Sequence, residues 1–180
     1  MADVDEFAQT LFEEAKRFLE KASVETKQEG TNAYLHAALN LGFSAFEAHI
    51  NAIADDFLTR SELEVLEKSI LSESGYSLRD GEYQLTGALK MYRLEDRIQF
   101  IYRRFSGKVL DKSSPWWSSL QNGLKLRNQL THPKEAPRMS KKSVEEALQA
   151  IIDTLDVLYK SVYHTTYPVA RRGLDSTLTF

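Results

Sequence analysis

The chain has 180 residues, with 23 Lys and Arg against 26 Asp and Glu, no Cys, eight Gly and four Pro. That length suits one domain able to bury a core without staples, and the lack of Cys excludes a disulfide framework, a thiolate zinc site and a cysteine nucleophile. The net charge of −3 hides a segregation: residues 90–142 carry 13 Lys and Arg against 4 Asp and Glu, a balance of +9, and the remainder stands at −12.

The start, MADVDEF, is acidic and has no apolar core segment, so a secretory signal is not expected and a cytoplasmic location is. Phe7, Leu11, Phe12, Ala15, Phe18, Leu19 and Ala22 recur at helical spacing, which predicts an amphipathic helix over about 4–28, ended by Gly30. Thr31 or Asn32 is placed to cap a second helix over about 32–58. This one is apolar nearly all round, from Leu35 to Phe57, but His36, Asn40, Glu47, His49 and Asn51 interrupt it too often for a membrane span. It reads as the central helix of a bundle.

Ser61 is the expected cap of a short third helix through Leu63, Leu66, Ile70 and Leu71. In residues 73–88, Asp80-Gly81 signals a hairpin near 76–85, with a polar connection between helices as the alternative. A fourth helix is expected over about 90–105. Pro115 opens a fifth at a favoured first-turn position, and Pro133 stops it. A sixth runs over about 141–163, and 165–180 is an irregular tail without period. The fold class predicted is all-α: one helical bundle of about five to six helices, forming a single domain over 1–180 with a short hairpin insert.

One polar group sits on the wrong side. With about 100° per residue, Trp116, Trp117, Gly123, Leu124 and Leu130 fall on the same side of the fifth helix as Leu120, and Arg127 falls near the centre of that apolar face. A buried guanidinium needs an anionic partner or an aqueous cleft. On the second helix, Asn40, Ser44, Glu47 and Asn51 form one polar stripe, so Glu47 is the natural acid for Arg127. An ion pair that only fixes helix register accounts for the same residues. Asn128 and His132 lie four apart, and Pro133 puts His132 at or just past the helix end, where its ring is able to swing towards Arg127. A fixed cation, an amide and a titratable ring within one turn suit the holding of a phosphate and proton transfer beside it.

Arg127-Asn128-Gln129-Leu130-Thr131-His132 reads R-N-x-x-x-H. The string resembles the signature of the HEPN superfamily (higher eukaryotes and prokaryotes nucleotide-binding), many of whose members are ribonucleases. The segment FSAFEAHINAI is also similar to the acidic second helix of many members. The resemblance covers about residues 5–163, and only the motif is specific. It implies a HEPN-like bundle and metal-independent RNA cleavage, in which the 2′-hydroxyl attacks the adjacent phosphate and leaves a 2′,3′-cyclic phosphate. By the same resemblance His132 handles the proton, Arg127 binds the phosphate, and Asn128 orients one or the other, with Glu47 and Asn51 in support. The resemblance also implies a homodimer in which two motifs meet, which would supply the second imidazole. Some HEPN toxins have a tyrosine two residues after the histidine that a partner enzyme modifies. Lys134 stands there in this chain, so that form of control is not expected; a different protein antitoxin, or none, remains open.

The expected function is thus an endoribonuclease, a toxin or defence enzyme with RNA as partner. The alternative is a non-catalytic HEPN-like helical dimer that binds a nucleotide, RNA or protein. Lys125, Lys134, Arg103 and Arg104, with Lys141 and Lys142, are candidates for tracking an RNA backbone, though each also reads as solvated surface. Trp116 and Trp117 are able to stack on bases, but core or dimer packing is the favoured role. His36, His49 and His164 are scattered without ligand spacing, so no metal and no cofactor are expected.

Overall fold

The computed structural model describes residues 4–134 and 139–180. Residues 1–3 of the acidic start and residues 135–138 of the basic segment lie outside the described residues. Six helices follow in order: α1 (Val4–Val24), α2 (Gln28–Leu58), α3 (Val65–Ser72), α4 (Leu94–Ser106), α5 (Pro115–Thr131) and α6 (Lys141–Val162). Between α3 and α4 comes an antiparallel hairpin, β1 (Ser74–Arg79) and β2 (Glu82–Leu89). The architecture is the helical bundle expected, with the hairpin as its small sheet. No helix among the described residues is long and apolar enough to cross a membrane.

α2 is the axis of the bundle and packs against each of the other five helices. Leu35, Ala38, Leu39, Phe43, Ala45, Phe46, Ile50, Ile53, Ala54 and Phe57 are all buried. The apolar stripes of α1 (Phe12, Ala15, Leu19), α4 (Ile98, Ile101), α5 (Trp117, Leu120, Leu124) and α6 (Val144, Leu148, Ile151, Leu155) close around it. Each helix is amphipathic because only one side meets this core.

Several boundaries differ from those expected. The break between α1 and α2 falls at residues 25–27, not at Gly30, which lies inside α2. The Glu25 carboxylate accepts from both Thr26 N and Lys27 N at 2.8 Å, which closes the turn there and leaves no cap for Thr31 or Asn32 to supply. Ser61 does not cap α3; the N-cap is Glu64, whose backbone N–H donates to the Glu67 carboxylate at 2.9 Å. α4 starts at Leu94, not near 90, since Lys90 N still donates to Glu73 O at 2.7 Å and belongs to the base of the hairpin.

The hairpin is longer than 76–85. Asp80 and Gly81 both have positive φ, 50° and 84°, the backbone of a tight turn whose twist matches the strands. Register pairs Tyr76 with Leu85 and Leu78 with Tyr83, so four large side chains share one exposed face.

α5 is drawn close to α2 and α6 at Gly123. A Cβ there would lie 2.7 Å from the Ala147 Cβ and 3.1 Å from the Phe43 ring. Gly123→Ala should therefore push α5 outward and destabilise the fold by about 1–3 kcal/mol, read from the urea midpoint.

The tail is built, though without period. Tyr167 and Val169 are buried, and Pro168–Arg171 form a short 3₁₀ helix. Farther on, the chain is held by polar side chains of α1. Lys16 Nζ donates to Asp175 O at 2.8 Å, and the Glu13 carboxylate accepts from Thr177 N at 2.6 Å and from Arg172 at 3.0 Å. The fully buried His49 joins both ends of the chain to α2: Nδ1 meets Asp5 Oδ1 at 3.2 Å and Nε2 meets Tyr167 Oη at 2.9 Å. Burial pushes this imidazole below its ordinary range, against the opposing pull of Asp5.

The unfolded chain thus takes up a proton on His49 below about pH 6.5 that the folded chain resists. The stabilisation is complete above that pH and is lost as pH falls through the lowered folded value. Urea midpoints should drop from about pH 7 to pH 5, and the slope should flatten in His49→Gln. Glu13, which burial raises but hydrogen bonds from Lys16 and Thr177 hold below its ordinary 4.5, adds stability that is present above that pH and is lost only as pH falls below it, outside the His49 window.

Candidate functional site

α5 carries the candidate residues into the open at its last turns. Trp117, Leu120, Gly123 and Leu124 are buried, and from Lys125 onward the helix surfaces. Arg127, the arginine on the apolar face, is a quarter exposed and donates from Nη2 to Glu47 Oε1 at 2.6 Å. Its guanidinium carbon lies 5.7 Å from the centroid of the Phe43 ring. Both sequence expectations for this arginine are met: an acid from the α2 stripe, and a cleft.

The cleft has a volume of about 220 Å³ and is lined by Glu47, Asn51, Glu73, Met91, Tyr92, Leu94, Arg97 and Arg127. Arg97 is the residue that the sequence reading missed. It is 3% exposed, donates from Nη1 to Asn51 Oδ1 at 2.9 Å and to Glu73 Oε2 at 3.0 Å, and from Nη2 to Leu71 O at 2.8 Å. Its Nε–H is buried without a partner. Burial draws the guanidinium below its ordinary value, and Glu73, Glu47 and Asp55 oppose that shift. The signal was present in the sequence: Leu94, Ile98 and Ile101 surround position 97 on the helix surface, as the apolar residues of α5 surround Arg127. Its acid was not legible. Glu73 is the C-cap of α3, in a left-handed conformation with φ 50°, and no helical spacing points to it.

His132 is the C-cap of α5, with φ −130° and ψ 62°. The following proline denies it the α region, while its N–H still donates to Asn128 O at 2.9 Å. The side chain is exposed. Asn128, Gln129, His132 and Lys134 line a shallow depression of about 290 Å³. Arg127 lines the cleft and His132 the depression, so the guanidinium and the imidazole open onto different cavities at one helix end.

The weaker candidates divide. Lys125, Lys134 and Arg103 are exposed. Arg104 Nε donates to Glu67 Oε1 at 2.9 Å, and Lys141 and Lys142 face Glu145 and Glu146 one turn on, so these charges are locally offset. Trp117 is buried and Trp116 half-buried, edge to face at 5.7 Å, which makes the pair packing groups. Among the described residues no three His, Asp or Glu side chains converge as a metal site would require.

No protein-family profile matches the chain, and no curated protein or solved structure is significantly similar to it.

The two arginines should respond differently to mutation. The Arg127–Glu47 pair is partly exposed, 25% and 44%, and such pairs are worth less than about 1 kcal/mol. Glu47→Ala should leave stability within that margin. Arg97→Ala leaves Glu73 without its cation in a mostly buried setting and should cost about 3–5 kcal/mol. Urea unfolding of the two variants side by side checks the difference.

Proposed function

We propose that this chain is a metal-independent endoribonuclease of the HEPN type, working as a homodimer. The observation that supports this reading is the end of α5, where an exposed imidazole and an amide share an open depression and a guanidinium emerges from the adjacent face. Arg127 is bound to Glu47 by a weak, solvent-touched pair, so an RNA phosphate competes for it at little cost. His132 stands clear of the helix and is able to move a proton.

The chemistry needs two proton transfers. The 2′-oxygen attacks phosphorus and its proton passes to one imidazole. The bond from phosphorus to the 5′-oxygen breaks, and that oxygen takes a proton from a second imidazole, leaving a 2′,3′-cyclic phosphate and a 5′-hydroxyl. One copy supplies one His132 at such a site, and a second copy supplies the other. Arg127 stabilises the charge that develops on the phosphate, and Asn128 orients the phosphate or the ring. Glu47 and Asn51 hold the cationic side in place. Lys125, Lys134 and Arg103 supply exposed positive charge for the RNA backbone. The biological role that fits is a toxin or defence nuclease of the cytoplasm, and the acidic remainder of the chain offers a surface to a basic protein such as an antitoxin.

Wild type and His132→Ala, expressed side by side, test the reading. RNA from the wild type should carry cyclic-phosphate ends, and the variant should be slower by about 100- to 10,000-fold. Intact RNA in both, with a well-folded dimer, would leave the non-catalytic binding module as the answer.

A further inference from the structure

The cleft beside Arg127 is nearly balanced in charge: Arg97 and Arg127 face Glu47 and Glu73. A second phosphate gains little from such a site, whereas a neutral polar group gains directed hydrogen bonds. Asn51 and Glu73 are both hydrogen-bonded to the same nitrogen, Arg97 Nη1, at 2.9 and 3.0 Å. Their polar ends therefore lie within about 6 Å of each other.

The bond from Arg97 also orients Asn51. Its Oδ1 is taken, which leaves the amide N–H donors for a ligand. Glu73 remains an acceptor, since each carboxylate oxygen has more than one lone pair. The cleft thus presents a donor next to an acceptor. The apolar surfaces of Tyr92 and Leu94 line it, and the Tyr92 ring is fixed by a 2.8 Å bond between its hydroxyl and Ser69 Oγ. At about 220 Å³ the cleft is smaller than the roughly 300–1,000 Å³ of pockets for drug-sized ligands, which suits a single planar heterocycle.

We propose that this cleft binds the nucleobase adjacent to the phosphate held by Arg127, and that it prefers bases with a carbonyl beside a ring N–H, guanine and uracil, over adenine and cytosine. The proposal rests on the RNA reading of the α5 site. Asn51 donates to the base carbonyl and Glu73 accepts from the ring N–H. Adenine and cytosine present an amino group and a bare ring nitrogen at those places, which sets donor against donor and acceptor against acceptor. A well-made pair of this kind discriminates by roughly ten- to a hundredfold. Arg97 is a positioning residue, since it acts through Asn51 and Glu73.

Equilibrium binding of the four nucleoside 3′-monophosphates to the full chain, by calorimetry, tests this. The 3′-phosphates of guanosine and uridine should bind about tenfold more tightly than those of adenosine and cytidine. Asn51→Leu and Asn51→Ala, which change an exposed position of α2 without changing its charge, should lose that preference, the guanosine and uridine nucleotides falling to the affinity of the other two. Equal binding of all four nucleotides, no detectable binding of any, or a preference undiminished in both variants would overturn the proposal. The nuclease reading fails separately: a base preference without cyclic-phosphate products sinks the catalysis and keeps the base site. Cleavage with indifferent nucleotide binding does the reverse.

Discussion

A helix that is apolar on nearly all sides has to be surrounded, and the burial of α2 organises everything else in this protein. Ten of its large or small apolar side chains are buried, and every other helix packs on it. The five remaining helices need supply only one apolar face each, which leaves their outer faces open to charge. The close approach at Gly123 belongs to the same constraint, because α5 reaches both α2 and α6 there. The close approach falls at the middle of α5, and beyond it the last turns rise out of the core with Arg127, Asn128 and His132.

The polar stripe of α2 is where that helix escapes complete burial. Its lower members, Glu47 and Asn51, meet one arginine each, Arg127 from α5 and Arg97 from α4. The two guanidiniums do different physical work. Arg97 is buried and makes three hydrogen bonds, so it ties α4 to α2 and to the end of α3. Arg127 is partly solvated and has one carboxylate partner, so it is exchangeable. A rigid cation behind a releasable one is a sound arrangement for a binding cleft, since the geometry survives when the outer pair opens.

Both ends of the described chain are tied down by polar contacts as well as apolar ones. His49 reaches Asp5 on one side and Tyr167 on the other, and Glu13 and Lys16 hold the segment 172–177. A buried imidazole kept neutral by its surroundings couples this tie to pH. The tie lies on the opposite aspect of α2 from Glu47 by helical projection, since His49 is two residues on. The buried imidazole that couples the fold to pH and the exposed imidazole at the end of α5 are thus on different aspects of the bundle's central helix and separate from each other in role.

Much of the fold was legible in the sequence. The order of the helices, the central place of α2 and the hairpin at Asp80-Gly81 follow from periodicity and turn chemistry, which act over neighbours in the chain. The pairing of Glu47 with Arg127 was legible too, because a charge on an apolar face and a polar stripe on a buried helix demand each other. Helix starts were less so: Glu25, Glu64 and Glu67 close turns with carboxylates where the commoner hydroxyl or amide caps stood nearby. Only the tertiary structure decided the partner of Arg97, the anchoring of the tail on α1, and the division of Arg127 and His132 between a cleft and a depression. Periodicity, composition and the run of charges along the chain determined a helical bundle with a basic segment and no thiol. Which charges in that segment are offset and which stay open was settled by folding, because a charge finds its partner across space, and the sequence records only distance along the chain.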